Sequence, residues 1–229
     1  MSDKTQSDTD RLLDAILGHV PFDGWSETAF RAAVAESGID PALARAECPR
    51  GAVDLALELH ERGDRDMLRR LEEADLSGLK FREKIAAAVR FRLEAIPDRE
   101  VVRRAMTLFA LPHLAGEGAR AVWQTCDRIW TALGDTSEDA NWYSKRATLS
   151  GVYSATLLFW LGDDSPGRQA TWDFLDRRID NVMQIEKLKA QVNDSALLKP
   201  LMAGPNWLAA QIRAPRRAED LPGRMQRNR

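Results

Sequence analysis

The chain has 229 residues, with 33 basic and 35 acidic side chains and a formal net charge of −2. This length allows one domain with a sizeable core, and the balanced charge excludes a general attraction to nucleic acid or anionic lipid. The two cysteines, Cys48 and Cys126, are expected to be free, buried thiols in a reducing compartment. β-Branched residues nowhere alternate over the length of a strand, whereas leucine, alanine, arginine and glutamate dominate, so we predict an all-α chain.

Residues 1–9 are polar and acidic, and they contain neither an apolar segment nor an arginine. Secretory signals need an apolar region and mitochondrial presequences are rich in arginine, so neither kind of leader is predicted. We expect a disordered tail on a bacterial cytoplasmic protein or on a mature chain.

Three short helices are predicted in a head at residues 10–50. The first is Asp10–His19, Ser26 is a good N-cap for the second, and Asp40 caps the third. The arrangement resembles the helix-turn-helix head of TetR-type regulators. However, residues 10–58 carry nine acidic and four basic side chains, a net charge of −5. DNA-binding heads need a basic face, so we expect no binding of nucleic acid.

Residues 51–183 are predicted to form a helical bundle, because apolar side chains recur there at three- and four-residue intervals. The part from Leu111 to Met183 contains five of the seven tryptophans and both tyrosines. Its uncharged run between Arg146 and Asp163 has 16 residues, fewer than the roughly 20 that a spanning helix needs. We therefore expect a buried helix, or one that lines an apolar space.

The C-terminal region changes character. Residues 184–194 are polar and are predicted to be a linker, residues 195–212 are amphipathic, and residues 213–229 form a basic tail with six arginines and two acids. An amphipathic segment with a tryptophan and following basic residues is typical of contact with a membrane interface. Alternatively it packs back on the bundle, divided by Pro200 and Pro205. The predicted membrane-contact residues are Leu197, Leu198, Leu201, Met202, Trp207, Leu208 and Ile212.

The sequence contains no recognised catalytic or metal-binding pattern. Its three histidines are not spaced as metal ligands, and Glu-x-x-His, His-Glu-x-x-His, Cys-x-x-Cys and Gly-x-Ser-x-Gly are absent. Residues 116–121 fit a dinucleotide-binding fingerprint, but no strand precedes them. We therefore predict that the chain is not an enzyme and has no metal or cofactor.

The aromatic side chains of the bundle have two interpretations. They can all be core residues, or some can line a pocket for a long apolar ligand, since helical bundles hold ligands within largely apolar walls. Sequence alone leaves both interpretations open for Trp123, Tyr153, Phe159, Trp160 and Trp172.

A series of short motifs follows in one order along the bundle. They are Leu-Pro-His at 111–113, Trp130, Gly-Asp at 134–135, Asn-Trp-Tyr at 141–143, Lys145-Arg146, Tyr153, Asp-Ser-Pro at 164–166 and Thr-Trp-x-Phe-Leu-x-x-Arg at 171–178. In this order they resemble the coenzyme Q (ubiquinone) biosynthesis lipid-binding accessory family, which has the TetR-type fold. The matching motifs are closely spaced over some 70 residues, from about Leu111 to Met183. A weaker resemblance in the same order extends toward the N-terminus as far as Leu12.

The resemblance implies a TetR-type bundle that has lost DNA binding and holds an isoprenoid or quinone lipid as its ligand. It implies a di-iron demethoxyubiquinone hydroxylase as partner, with Asp127 and Trp130 at the partner surface. It also implies a homodimer through the last two bundle helices and a C-terminal amphipathic helix on the membrane, here the inner membrane of a bacterium. The residues expected at the lipid are Leu111, Trp123, Tyr153, Leu157, Trp160 and Trp172.

Two other function classes stay open. A ligand-sensing TetR-type transcription regulator would share the fold and the pocket, although the acidic head argues against it. An enzyme that acts on the lipid itself has no catalytic residues to support it. The sequence thus favours a non-catalytic accessory protein that presents a lipid to the hydroxylase.

Overall fold

The computed structural model describes residues 6–194 and 213–214, and these residues form ten α-helices and one 3-10 turn without a strand. The all-α prediction is therefore confirmed. The predicted membrane-contact residues lie outside the described residues. The helices are α1 (Asp8–Leu17), α2 (Val20–Asp23), α3 (Glu27–Ser37), α4 (Pro41–Glu47), α5 (Ala52–Glu73), α6 (Phe81–Glu94), α7 (Arg99–Phe109), α8 (Ala115–Ala132), α9 (Ala140–Gly162) and α10 (Gln169–Asp194).

Side-chain caps determine where the helices of the head begin. Ser26 Oγ accepts the amide N–H of Ala29 at 3.2 Å, and the Asp40 carboxylate accepts the N–H groups two and three residues later at 2.9 and 3.1 Å. Both predicted N-caps are therefore present. Ser7 caps α1, which begins at Asp8, so the first helix starts two residues before its predicted position.

Two clusters of buried apolar side chains form the core. The first lies in the head and includes Leu12 and Phe30, and the second lies in the bundle and includes Ile129 and Leu175. α5 contributes to both clusters and so joins the head to the bundle. α9 buries side chains such as Leu149 in the second cluster, as expected. Within the described residues, no helix is both long enough and apolar enough to cross a membrane.

The last helix differs from the prediction at both ends. It begins at Gln169 rather than at Pro166, because Gly167 and Arg168, within the 3-10 turn Pro166–Arg168, have positive φ angles of 59° and 57° that an α-helix does not allow. It then continues through Asp194. The predicted linker at residues 184–194 is therefore wrong, since a polar composition does not distinguish a linker from a helix with little apolar face.

A buried carboxylate, Asp64 of α5, connects three helices of the bundle. It accepts hydrogen bonds from Arg92 Nε of α6 at 2.6 Å, Thr125 Oγ1 of α8 at 2.8 Å and Arg128 Nη1 of α8 at 2.5 Å. The neighbouring Gly63 makes room for the arginine, because a Cβ at that position would lie 2.6 Å from Arg92 Nη1. These bonds fix the relative positions of α5, α6 and α8.

His60 lies one turn before Asp64 on α5 and adjoins the same group. Its Nε2 is 2.8 Å from Thr125 Oγ1 and 3.1 Å from the carbonyl oxygen of Ala121. Burial, together with the positive charge of Arg92, lowers the pKa of His60 to about 4. The imidazole is therefore neutral at physiological pH.

We predict that Asp64→Ala lowers the free energy of unfolding by about 3–5 kcal/mol, because it leaves buried arginine groups without their carboxylate. Asp66→Ala is the matched control on the same helix. It removes the surface ion pair with Arg69, in which Arg69 Nη2 lies 2.9 Å from Asp66 Oδ1, and should change stability by less than about 1 kcal/mol. Urea denaturation of both variants measures the difference, and equal losses would contradict the role of Asp64.

We also predict that His60 makes stability depend on pH. Its pKa is lower in the folded chain, so its contribution is present above about pH 6.5 and is lost as the pH falls toward 4. The loss is on the order of 3 kcal/mol, and His60→Asn should remove this part of the pH dependence. The control is His113→Asn, at an exposed histidine. A His60 variant whose unfolding keeps the wild-type pH profile would refute the prediction.

Candidate functional site

A cavity of about 680 Å³ lies between α5, α6, α7, α8 and α9. This volume falls within the range of about 300–1,000 Å³ that is usual for small-molecule sites. Its wall consists mainly of alanine and glycine residues together with larger apolar side chains. The larger ones are Leu59, Ile96, Val102, Met106, Phe109, Val122, Trp123, Leu157 and Leu158.

The cavity exists because small side chains occupy the faces of α7 and α8 that meet around it. Gly118 lets these helices approach closely, since a Cβ there would lie 2.8 Å from Phe109 Cβ. The alanines are too short to fill the remaining space. They are Ala105 of α7, Ala110 directly after it, and Ala115, Ala119 and Ala121 of α8.

The cavity is open to solvent, and exposed residues line it on α8 and α9 as well as in the turns on either side of α7. Its lining includes the exposed residues Ala119 of α8 and Ala147, Gly151 and Leu158 of α9. All four are apolar or lack a side chain. An elongated apolar molecule therefore finds an accessible apolar entrance along α9.

Three of the six residues predicted at the lipid line this cavity. Trp123 contributes from α8, where it is half-buried, and Tyr153 and Leu157 contribute from α9. The two residues of α9 are four positions apart and so share one face of the helix. Tyr153 is only 1% exposed and lies deeper than the entrance.

The other three predicted residues lie elsewhere. Leu111 is exposed in the turn between α7 and α8. Trp160 is buried in the last turn of α9, where the guanidinium of Arg168 lies 5.0 Å from its ring centroid. Trp172 donates its indole N–H to the carbonyl oxygen of Gly167 at 3.0 Å. Both tryptophans pack in the bundle core because the end of α9 meets the start of α10 beyond the cavity.

Two basic residues of the lining were not predicted. His60 of α5 and Arg92 of α6 both line the cavity. A single histidine or arginine in a helix has no spacing that marks it as part of a site. The one available signal was the position of Arg92, three residues after Val89 on the apolar stripe of α6.

The predicted partner residues, Asp127 and Trp130, are three positions apart on α8, and both make contacts within the chain. Asp127 Oδ1 accepts a hydrogen bond from Nε of the buried Arg146 at 2.6 Å. The indole N–H of Trp130 donates to the carbonyl oxygen of Lys145 at 3.2 Å, and its ring centroid lies 5.5 Å from that of Phe81. Trp130 is half-buried rather than fully exposed, so part of its role is structural.

Trp130 also lines a second crevice, of about 620 Å³, between α6, α9, α10 and the turn after α8. Asp135 at its edge accepts hydrogen bonds from Lys145 Nζ at 2.7 Å and Arg146 Nη1 at 3.0 Å. Burial opposes ionisation of Asp135, but these bonds outweigh it and hold the pKa of its carboxyl well below the ordinary value. The resulting charge cluster fixes the α8–α9 turn to α9.

The described C-terminal residues, Arg213 and Ala214, lie against the same turn. The Ala214 N–H donates to the carbonyl oxygen of Glu138 at 2.9 Å, and the Tyr143 hydroxyl donates to the carbonyl oxygen of Arg213 at 3.4 Å. The ring of Tyr143 is 6.3 Å from that of Trp123, centroid to centroid. This contact therefore adjoins the cavity wall.

Comparison with known proteins gives a consistent family. Residues 115–186, from the start of α8 into α10, match the COQ9 family model. The ubiquinone biosynthesis protein COQ9, mitochondrial, of Homo sapiens is 32% identical over 84% of this chain and 63% of its own length. The ubiquinone biosynthesis protein COQ9-B, mitochondrial, of Xenopus laevis is 33% identical over 84% of this chain and 69% of its own length. The probable ubiquinone biosynthesis protein coq9, mitochondrial, of Dictyostelium discoideum is 31% identical over 81% of this chain and 62% of its own length. The chain thus spans about three fifths of the length of these relatives.

The fold also matches a solved structure. The TetR transcriptional regulator from Nitrosomonas europaea ATCC 19718 superposes with a TM-score of 0.63 and 21% identity, over 75% of this chain and 95% of that one. At this identity the likeness shows the fold alone. The prediction of a TetR-like bundle is confirmed.

The relatives contradict one prediction and establish the family. The bacterial location, cytoplasmic and peripheral on the inner membrane, is wrong by this comparison, because the relatives named above are eukaryotic proteins named mitochondrial. The composition of a few polar residues at the start of the sequence is a weak guide to location. The match to one relative at 33% identity over 69% of its length, together with the family model over α8 to α10, shows that this chain belongs to the COQ9 family.

Proposed function

We propose that this chain acts in ubiquinone biosynthesis as a non-catalytic accessory protein. It holds an isoprenoid or quinone lipid in the cavity and presents the lipid to the di-iron demethoxyubiquinone hydroxylase. The curated relatives are named ubiquinone biosynthesis proteins. The main support within the molecule is the cavity of about 680 Å³ with its apolar wall and its entrance along α9.

An apolar cavity suits the reversible binding of a polyprenyl lipid. Each CH₂ group gains roughly 0.8 kcal/mol when it leaves water, but it gains nearly the same in a bilayer and in the cavity. The free energy of transfer between the two is therefore close to balanced. A lipid can be taken up and returned without a chemical step, as the role of a carrier requires.

Membrane contact is proposed for residues 195–212, which lie outside the described residues. The support comes from the residues that follow them. Arg213 and Ala214 bond to the α8–α9 turn beside Trp123. A segment that touches the membrane and is attached at this point would bring the lipid bilayer close to the cavity.

A homodimer through α9 and α10 is part of the same proposal. Phe159 of α9 and Phe174 of α10 stack with their ring centroids 4.6 Å apart, and Phe159 remains 38% exposed. Met183, farther along α10, is also exposed. Apolar side chains that are exposed on adjacent helices are typical of a protein interface.

The charges of the head argue against the alternative, a ligand-sensing transcription regulator. The head has four arginines, and three of them form an ion pair with a carboxylate of the chain. These three are Arg11, Arg45 and Arg50. Arg50 contacts two carboxylates, those of Asp54 and Glu117. DNA phosphates would have to compete with these acids, and the head has no excess of positive charge to attract them.

We predict that Gly151→Trp reduces the amount of isoprenoid lipid that copurifies with the protein by about tenfold. A bulky side chain at this lining position excludes about two CH₂ groups of the ligand, or roughly 1.6 kcal/mol. Gly162→Trp is the control. Both glycines lie on α9 with open space around an added Cβ, but only Gly151 lines the cavity. Mass spectrometry of extracted lipid gives the ratio, and equal lipid in both variants would place the ligand elsewhere.

We further predict that Trp130→Ala raises the Kd for the hydroxylase by about tenfold or more, as expected for an aromatic anchor of an interface. Trp123→Ala is the matched control, because it removes another half-buried indole from α8, on the cavity side. Binding is measured by calorimetry, with thermal denaturation of each variant. A similar loss of affinity in both variants would mean general destabilisation and would remove Trp130 from the partner surface.

A further inference from the structure

The inner part of the cavity is polar, unlike its entrance. His60, Arg92 and Tyr153 come together there from α5, α6 and α9. Arg92 is anchored, because its Nε donates to Asp64 and its Nη2 donates to the carbonyl oxygen of His60 at 3.0 Å. Tyr153 is 1% exposed and Arg92 is 4% exposed. A bound lipid therefore meets apolar residues near solvent and polar residues inside.

The hydroxyl of Tyr153 makes no hydrogen bond to any of the residues that the structure describes. In contrast, Ser150 Oγ, which also lines the cavity on α9, donates to the carbonyl oxygen of Arg146 at 2.8 Å. The fully buried side-chain atoms that lack a partner within the described residues are Trp160 Nε1 and Arg178 Nε. The Tyr153 hydroxyl is not one of them, so it is accessible from the cavity and can bond to a ligand there. Burial raises the pKa of Tyr153, against the opposing charge of Arg92, so the phenol stays protonated and able to donate.

The charges around this inner end are already compensated. Arg92 and Arg128 bond to the carboxylate of Asp64, and Arg128 also pairs with Glu61 at 3.4 Å. Two positive groups thus face two negative ones. A carboxylate or phosphate of a lipid would enter this region as an uncompensated buried charge, which is strongly unfavourable. An uncharged oxygen atom avoids this cost.

We propose that the inner end of the cavity is a head-group site, in which the Tyr153 hydroxyl donates a hydrogen bond to an uncharged oxygen of a ring, such as a quinone carbonyl. This inference rests on the proposed function and adds the orientation of the ligand to it. The ring lies between α5, α6 and α9, and the isoprenoid tail extends toward the entrance at Gly151 and Leu158. Tyr153 then selects quinone lipids over hydrocarbons and over lipids with an acidic head.

The test is Tyr153→Phe in the full chain, with Tyr143→Phe as the matched control. Tyr143 is the only other tyrosine of the sequence, and it lies outside the cavity lining with its hydroxyl bonded to Arg213. Three ligands are compared by displacement of a fluorescent apolar dye: a dimethoxy-methyl-benzoquinone with a decyl tail, the isoprenoid hydrocarbon farnesene, and palmitate. The thermal denaturation of each variant without ligand is recorded as well.

We expect Tyr153→Phe to weaken binding of the benzoquinone by about threefold to tenfold, the effect of one lost hydrogen bond, and to leave farnesene binding unchanged. Tyr143→Phe should change neither. Since the lost hydroxyl bonds to none of the described residues, the Tm of Tyr153→Phe should equal or exceed that of the wild type.

The head-group site is wrong if Tyr153→Phe leaves benzoquinone binding unchanged, if it weakens both ligands equally, or if the wild type prefers palmitate to the benzoquinone. In each of these cases the carrier role stands as long as the wild type binds an isoprenoid. If the wild type binds neither farnesene nor the benzoquinone, the proposed function itself fails.

Discussion

The buried carboxylate of Asp64 is the interaction on which the bundle depends. A buried charge is tolerated only when hydrogen bonds and opposite charges surround it, and Asp64 obtains these from Arg92, Thr125 and Arg128. The three donors come from two helices that pack on α5, so sliding either helix along α5 would take donors away from the charge. The inner end of the cavity is polar partly as a consequence, because Arg92, which Asp64 anchors, forms part of its wall.

Fixed helices and small side chains together explain why the space between them stays open. Apolar interiors normally pack without voids, because every gap loses dispersion contacts. Here the helices cannot approach one another to close the gap. The bonds of Asp64 hold α5, α6 and α8 at fixed distances, and the cluster of Asp135, Lys145 and Arg146 holds α9 to the preceding turn. Alanines and Gly118 then leave a volume that a lipid can occupy.

Local chemistry in the sequence was enough to predict the helical fold. Caps such as Ser26 act over three residues and are therefore readable in a single chain. Which aromatic side chains line the cavity was not readable from local chemistry, because core and cavity wall require the same side chains as Tyr153 and Trp160. The bonds of Asp64 join positions more than 25 residues apart, which one sequence does not reveal.

Trp123 and Trp130 are seven residues apart on α8, which corresponds to about 10 Å along the helix axis. One indole lines the cavity and the other lines the crevice at the proposed partner surface. A continuous helix is stiff over this distance, so the separation between the cavity and the crevice is fixed. If the proposed partner docks at Trp130, it lies about two helical turns from the cavity wall at Trp123, so the proposed lipid would have only a short distance to travel.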